Sequence, residues 1–117
     1  METVKVEVDD KGRLMLPLPK EVLRKIESRI GGWVELTLQN ESIIVRKAKM
    51  VRINVKLSEE IKFAVQKYSE KEGYGSDEEA ITNLITQALV EHFAKSKDEK
   101  LQKLAEKLQN KWYLKIH

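Results

Sequence analysis

Arg52, Asn54 and Lys56 alternate with Ile53, Val55 and Leu57, and Ser58 then opens a helical pattern. Alternate residues of a strand share a face, so the three long polar side chains point one way and the apolar ones the other. Their types suit base edges: arginine and lysine donate to guanine acceptors, and asparagine pairs with both adenine groups in the major groove. The chemistry these residues offer is recognition of duplex DNA, without bond making.

Reading residues need elements to hold them. Ile61, Ala64, Val65 and Tyr68 recur at the spacing of a one-sided helix. Lys71 to Gly75 break that pattern. Gly73 suits the left-handed position that ends a helix, and Ser76 with Glu79 forms a capping box for the next, whose buried face is expected at Ile81, Leu84, Ile85, Ala88 and Leu89. A short polar-faced strand followed by two amphipathic helices, from Val51 to about Phe93, resembles the ribbon-helix-helix family of repressors. The resemblance implies that two chains pair their strands antiparallel, that the ribbon enters the major groove, and that amides at the start of the second helix hold a phosphate. It carries DNA contact to Arg52, Asn54, Lys56 and Ser76. A helix N-terminus does favour an anion. Asp77, Glu78 and Glu79 favour that same helix but repel a phosphate.

The first fifty residues carry a different pattern. Val4, Val6 and Val8 alternate, Asp9 to Gly12 make a turn, and Leu14 to Leu16 supply a second apolar run, which together read as a hairpin. Pro19 starts a short helix whose face holds Val22, Leu23 and Ile26; after Gly31 and Gly32, Val34, Leu36 and Leu38 alternate toward Ile43 and Val45. This order, with Asp10-Lys11-Gly12-Arg13 and Leu18-Pro19-Lys20-Glu21-Val22 in place, resembles the AbrB-like swapped-hairpin domain, also seen in MazE-type antitoxins, over about Val4 to Lys47. The resemblance implies that two chains interleave hairpins into one small barrel. It also implies DNA contact by basic residues of the first hairpin, Lys5, Lys11 and Arg13, and of the helix region, Lys20, Arg24 and Lys25. The chain departs from the compact pattern in its duplicated Leu16-Pro17-Leu18-Pro19, and in Val6 and Glu7, which stand where basic strand residues are expected.

The expected fold is therefore α+β: a swapped-hairpin β-barrel dimer over residues 1–48, a ribbon-helix-helix dimer over 51–94, and a helical tail over 95–117. Units of about 45 residues bury too little surface to stand alone, so homodimerisation, with higher oligomers open, is expected through both halves. Residues 95–117 hold seven basic and three acidic side chains, with Leu101, Leu104, Ala105, Leu108 and Trp112 at helical spacing. An amphipathic tail of this kind packs on its own dimer or pairs as a short coiled coil. Two sharper readings are a toxin or other protein docking on a Trp112-Tyr113-Leu114 anchor, and phosphate binding by Lys95, Lys97, Lys100 and Lys103.

Other function classes recede. The 117 residues contain no cysteine, no apolar run as long as the ~18 residues of a membrane span, and no visible secretory signal, so a cytoplasmic, nucleoid-associated protein without membrane contact is expected. His92 reads as a core or interface residue on the second helix's apolar face, and Glu7, Asp9 and Asp10 as a solvated turn beside Gly12 rather than a metal site. Trp33 and Tyr68 read as core, whereas Phe63 falls off its helix's buried face. No phosphate loop, serine elbow or zinc spacing is present, so neither an enzyme nor a cofactor is expected. The sequence points to a homodimeric, sequence-specific, double-stranded DNA-binding transcriptional regulator, a repressor acting by operator occupancy. The alternatives are an antitoxin with a toxin-binding tail, and an architectural protein that coats or bridges DNA without sequence preference.

Overall fold

Alternation decides the central hairpin. Val34, Leu36 and Val45 are buried on one face of β4 (Trp33–Gln39) and β5 (Ser42–Lys47), while Glu35 and Arg46 pair on the other. The turn needs a left-handed residue, supplied by Asn40 at φ 56°, and the Ser42 hydroxyl donates to the Gln39 carbonyl at 3.1 Å. The computed structural model describes residues 2–4, 7–8, 14–15, 20–26 and 31–116. It is mixed α+β.

Around the hairpin a four-stranded antiparallel sheet forms in the order β1 (Glu2–Val4), β5, β4 and β6 (Lys111–Lys115). A separate two-stranded sheet joins β2 (Glu7–Val8) to β3 (Leu14–Met15). Within the alternating run Val4 to Val8, Val4 pairs with β5 and Val8 with β3. The short helix after Pro19 is present as α1 (Lys20–Lys25), and Ile26 beyond it joins Val34, Leu36, Val45 and Ile116 in the apolar core.

The helical part begins where the capping signals place it. Ser58 caps α2 (Glu59–Glu72), its hydroxyl oxygen accepting from the Ile61 amide at 3.1 Å. Gly73, at φ 78°, closes the helix: its N–H reaches the Glu70 carbonyl and the Tyr74 N–H reaches Ser69, the paired bonds of a Schellman end. Ser76 then caps α3 (Asp77–Ala94), accepting from the Glu79 amide at 3.3 Å and donating to the Glu79 carboxylate at 3.0 Å. The buried Ser69 hydroxyl donates to the Ser76 carbonyl at 3.3 Å and so ties the end of α2 to the start of α3.

Two expectations are corrected here. The tail is helical only through α4 (Glu99–Leu108); Asn110, at φ 61°, reverses the chain, and Trp112 lies in β6 rather than on a helix. Helical spacing from Leu108 to Trp112 competes with two-residue spacing in Trp112, Leu114 and Ile116, and the open edge of β4 favours the strand. On α3 the face buried within the chain is Ala80, Asn83 and Thr86, which meets α4 and β6. Ile85, Ala88 and Leu89 are exposed, and Ile81 and Leu84 only half-buried. A helix apolar on most sides has no single stripe, and the neighbours decide which side is covered.

Candidate nucleic-acid interface

The sequence-predicted contacts fall at three places. Lys20, Arg24 and Lys25 are exposed on α1. Arg52, Asn54 and Lys56 are exposed on the connection between β5 and α2. Ser76, half-buried, begins α3. Lys5, Lys11 and Arg13 lie outside the described residues.

The expected strand from Arg52 to Leu57 is not formed, because no strand among the described residues pairs with it and a strand exists only by its ladder. Its apolar phase is left in water: Val51, Ile53 and Val55 are 85%, 75% and 70% exposed. The helices also expose large apolar residues, Ile61 and Phe63 on α2 and Ile85 and Leu89 on α3. Scattered apolar residues on a surface are ordinary, whereas three alternating ones in a row, each at least 70% exposed, are not.

Acidic crowding at the start of α3 is less than composition suggests. Glu79 turns back and is buried, its carboxylate accepting from the Ser76 hydroxyl. Glu78 faces Lys115 of β6, with Nζ 3.9 Å from Oε2. Pairing of partly exposed groups adds little stability, but it offsets negative charge beside the helix's positive end.

The residues that sequence reasoning missed sit where α3 meets the sheet. Asn83, 1% exposed, donates from Nδ2 to the Tyr113 carbonyl and accepts at Oδ1 from the Tyr113 N–H, both at 2.8 Å. One side-chain amide thereby does what a neighbouring strand would do for the free edge of β6. The same Nδ2 donates to the Glu79 carbonyl at 2.8 Å, which fixes its direction. The alternation of Trp112, Leu114 and Ile116 after Asn110 was the available signal for β6; nothing in the sequence marks Asn83. On the outer face of the sheet Glu35 lies between Arg46, at 3.9 Å, and Lys111, to which it is also paired.

Burial and the neighbouring Glu35 raise the Tyr113 phenol above its ordinary pKa. Tyr74 is raised further, by burial first and then by Tyr68, Glu72 and Glu79 around it. Its ring lies 6.1 Å from that of Tyr68. Both phenols therefore keep their protons to higher pH than a solvent-exposed tyrosine. His92, expected on a covered face, is exposed beside the Phe93 ring. Among the described residues no group of three or more His, Cys, Asp or Glu is placed to hold a metal ion, and no helix is long and apolar enough to cross a membrane.

Comparison of the chain with protein-family models, with curated proteins and with solved structures gives no match.

Proposed function

We propose that the chain is a homodimeric, sequence-specific binder of double-stranded DNA that regulates transcription, repressing by occupying its operator. One observation carries this reading. The segment that alternates Arg52, Asn54 and Lys56 with Val51, Ile53 and Val55 presents its apolar phase to solvent, ahead of two well-capped helices that themselves expose Ile61, Ile85 and Leu89. A second copy of the same segment, run antiparallel, would complete the ladder and cover the apolar phase, leaving two sets of Arg, Asn and Lys on the opposite face. A two-stranded ribbon fits the major groove, and those side chains read its donor and acceptor pattern. In the same reading the N-terminal half pairs as an interleaved barrel, and Lys20, Arg24 and Lys25, with Lys5, Lys11 and Arg13, contact phosphate.

Selection of bound sequences from a random duplex pool tests the proposal, run with the full chain and with the Arg52→Ala/Asn54→Ala/Lys56→Ala variant. A two-fold symmetric motif that disappears in the variant is the expected result. Equal recovery of all sequences by both proteins would replace the regulator reading with an architectural one. Asn54→Ala alone should cost about 1 to 3 kcal/mol at its cognate base and little elsewhere.

A further inference from the structure

Residues 49–58 are all exposed and belong to no helix or strand. The last bond of this connection to the sheet is from the Ala48 N–H to the Trp33 carbonyl, at 3.0 Å. A connection of that kind does not by itself hold two folded parts in a set orientation. The chain instead crosses back at its far end.

After α4, β6 pairs with β4 from Thr37↔Lys111 to Trp33↔Lys115. The pairing is prolonged at both ends, by Leu38 N–H to the Asn110 carbonyl at 2.9 Å, and by the two bonds that Ile116 exchanges with Gly31 and Gly32 at 2.8 Å. Trp112, Leu114 and Ile116 enter the same apolar cluster as Ile26, Val34, Leu36 and Val45. From the other side α3 grips the strand through the two Asn83 bonds to Tyr113 and the Lys115–Glu78 pair. A single strand is thus bonded along one edge to the sheet and along the other to the helix pair.

We propose that β6 is a strap that sets the orientation of the N-terminal sheet relative to α2 and α3, and that residues 48–50 contribute little to it. The two halves then move as one body. Resting on the DNA-binding reading above, the further consequence is that an operator touched by both halves permits one spacing between the two contacts, because the protein has no hinge with which to adapt.

The test is nitrogen-15 relaxation on the full chain, comparing the rotational correlation time of amides in β4 and β5 with that of amides in α3. Equal values are expected in the wild type and in a variant with four Gly and Ser residues inserted after Lys49. Asn83→Leu, which removes both edge bonds, should split the values, the sheet and the helices tumbling separately. Separation in the wild type or in the insertion variant would overturn the strap, as would an Asn83→Leu protein that folds and still tumbles as one. Should Asn83→Leu fail to fold, the insertion variant decides. None of these readouts involves DNA, so a rigid protein that selects no motif refutes the DNA reading alone, and a motif-selecting protein whose halves tumble apart refutes the strap alone.

Discussion

Replacing Asn83 by leucine keeps roughly the side-chain size and removes three hydrogen bonds of 2.8 Å, two of them to Tyr113 and one to the Glu79 carbonyl. Each neutral bond contributes about 1 kcal/mol net, but a buried backbone group left without a partner costs about 1 to 3 kcal/mol. The Tyr113 N–H and C=O both face away from β4, so no strand takes over from the lost amide. Two such groups cost about 2 to 6 kcal/mol, and the added apolar burial of leucine returns about 1 kcal/mol, leaving a loss of about 1 to 5 kcal/mol. Against the ~5 to 15 kcal/mol of an ordinary domain this is a large share. Urea unfolding at fixed protein concentration, followed by tryptophan fluorescence, is well placed to read it, since Trp33 and Trp112 both belong to the sheet. Thr86→Val is the control from the same helix, because the Thr86 hydroxyl bonds to the Thr82 carbonyl of its own α3; its expected cost is below about 1 kcal/mol. An Asn83→Leu loss no larger than that of Thr86→Val would show that the amide bridge adds nothing and that β6 is held by its ladder and its apolar face alone.

Val55→Lys places a charge in the exposed apolar phase of the connection, and should shift sedimentation toward the single chain while leaving the helical signal unchanged; an unchanged dimer would remove this segment from the interface. Gly73→Ala forces a Cβ into the left-handed position at φ 78° and should lower stability by about 1 kcal/mol in urea titration, whereas a neutral effect would show that the end of α2 frays anyway. Tyr74 carries a pKa raised from an ordinary 10.0, so its contribution to stability is full below that value and declines as pH rises above it, where the unfolded chain ionises first. Phenolate absorbance should accordingly show a late-titrating tyrosine that Tyr74→Phe removes, and loss of an early-titrating one instead would contradict its burial.

Local chemistry was the legible part of this chain. Ser58, Gly73, Ser76 and Glu79 each act through bonds within five residues, so their types and spacing place the ends of α2 and α3 directly. The alternation in β4 and β5 was equally plain, because one face of that hairpin is core. What the sequence did not disclose depends on neighbours distant in the chain. Trp112 fits a helix drawn from Leu101 as well as it fits a strand, and only the waiting edge of β4 separates the two. Asn83 looks like a polar residue on a solvent face, yet it points inward because a strand edge thirty residues later requires a donor and an acceptor together. The alternation of Arg52, Asn54 and Lys56 with apolar neighbours is legible as a pattern, but no strand among the described residues pairs with it.

The pairing of Trp33 with Lys115 also orders events during synthesis. The α2–α3 pair is stitched by contacts close in sequence and can form while the chain is still being made, whereas the N-terminal sheet cannot be completed until residues 111–116 have emerged. For that interval β4 offers a bare edge above a partly open apolar core, the kind of surface that other nascent chains can join. Strands β4 and β5 are thus made well before the strand that completes their sheet.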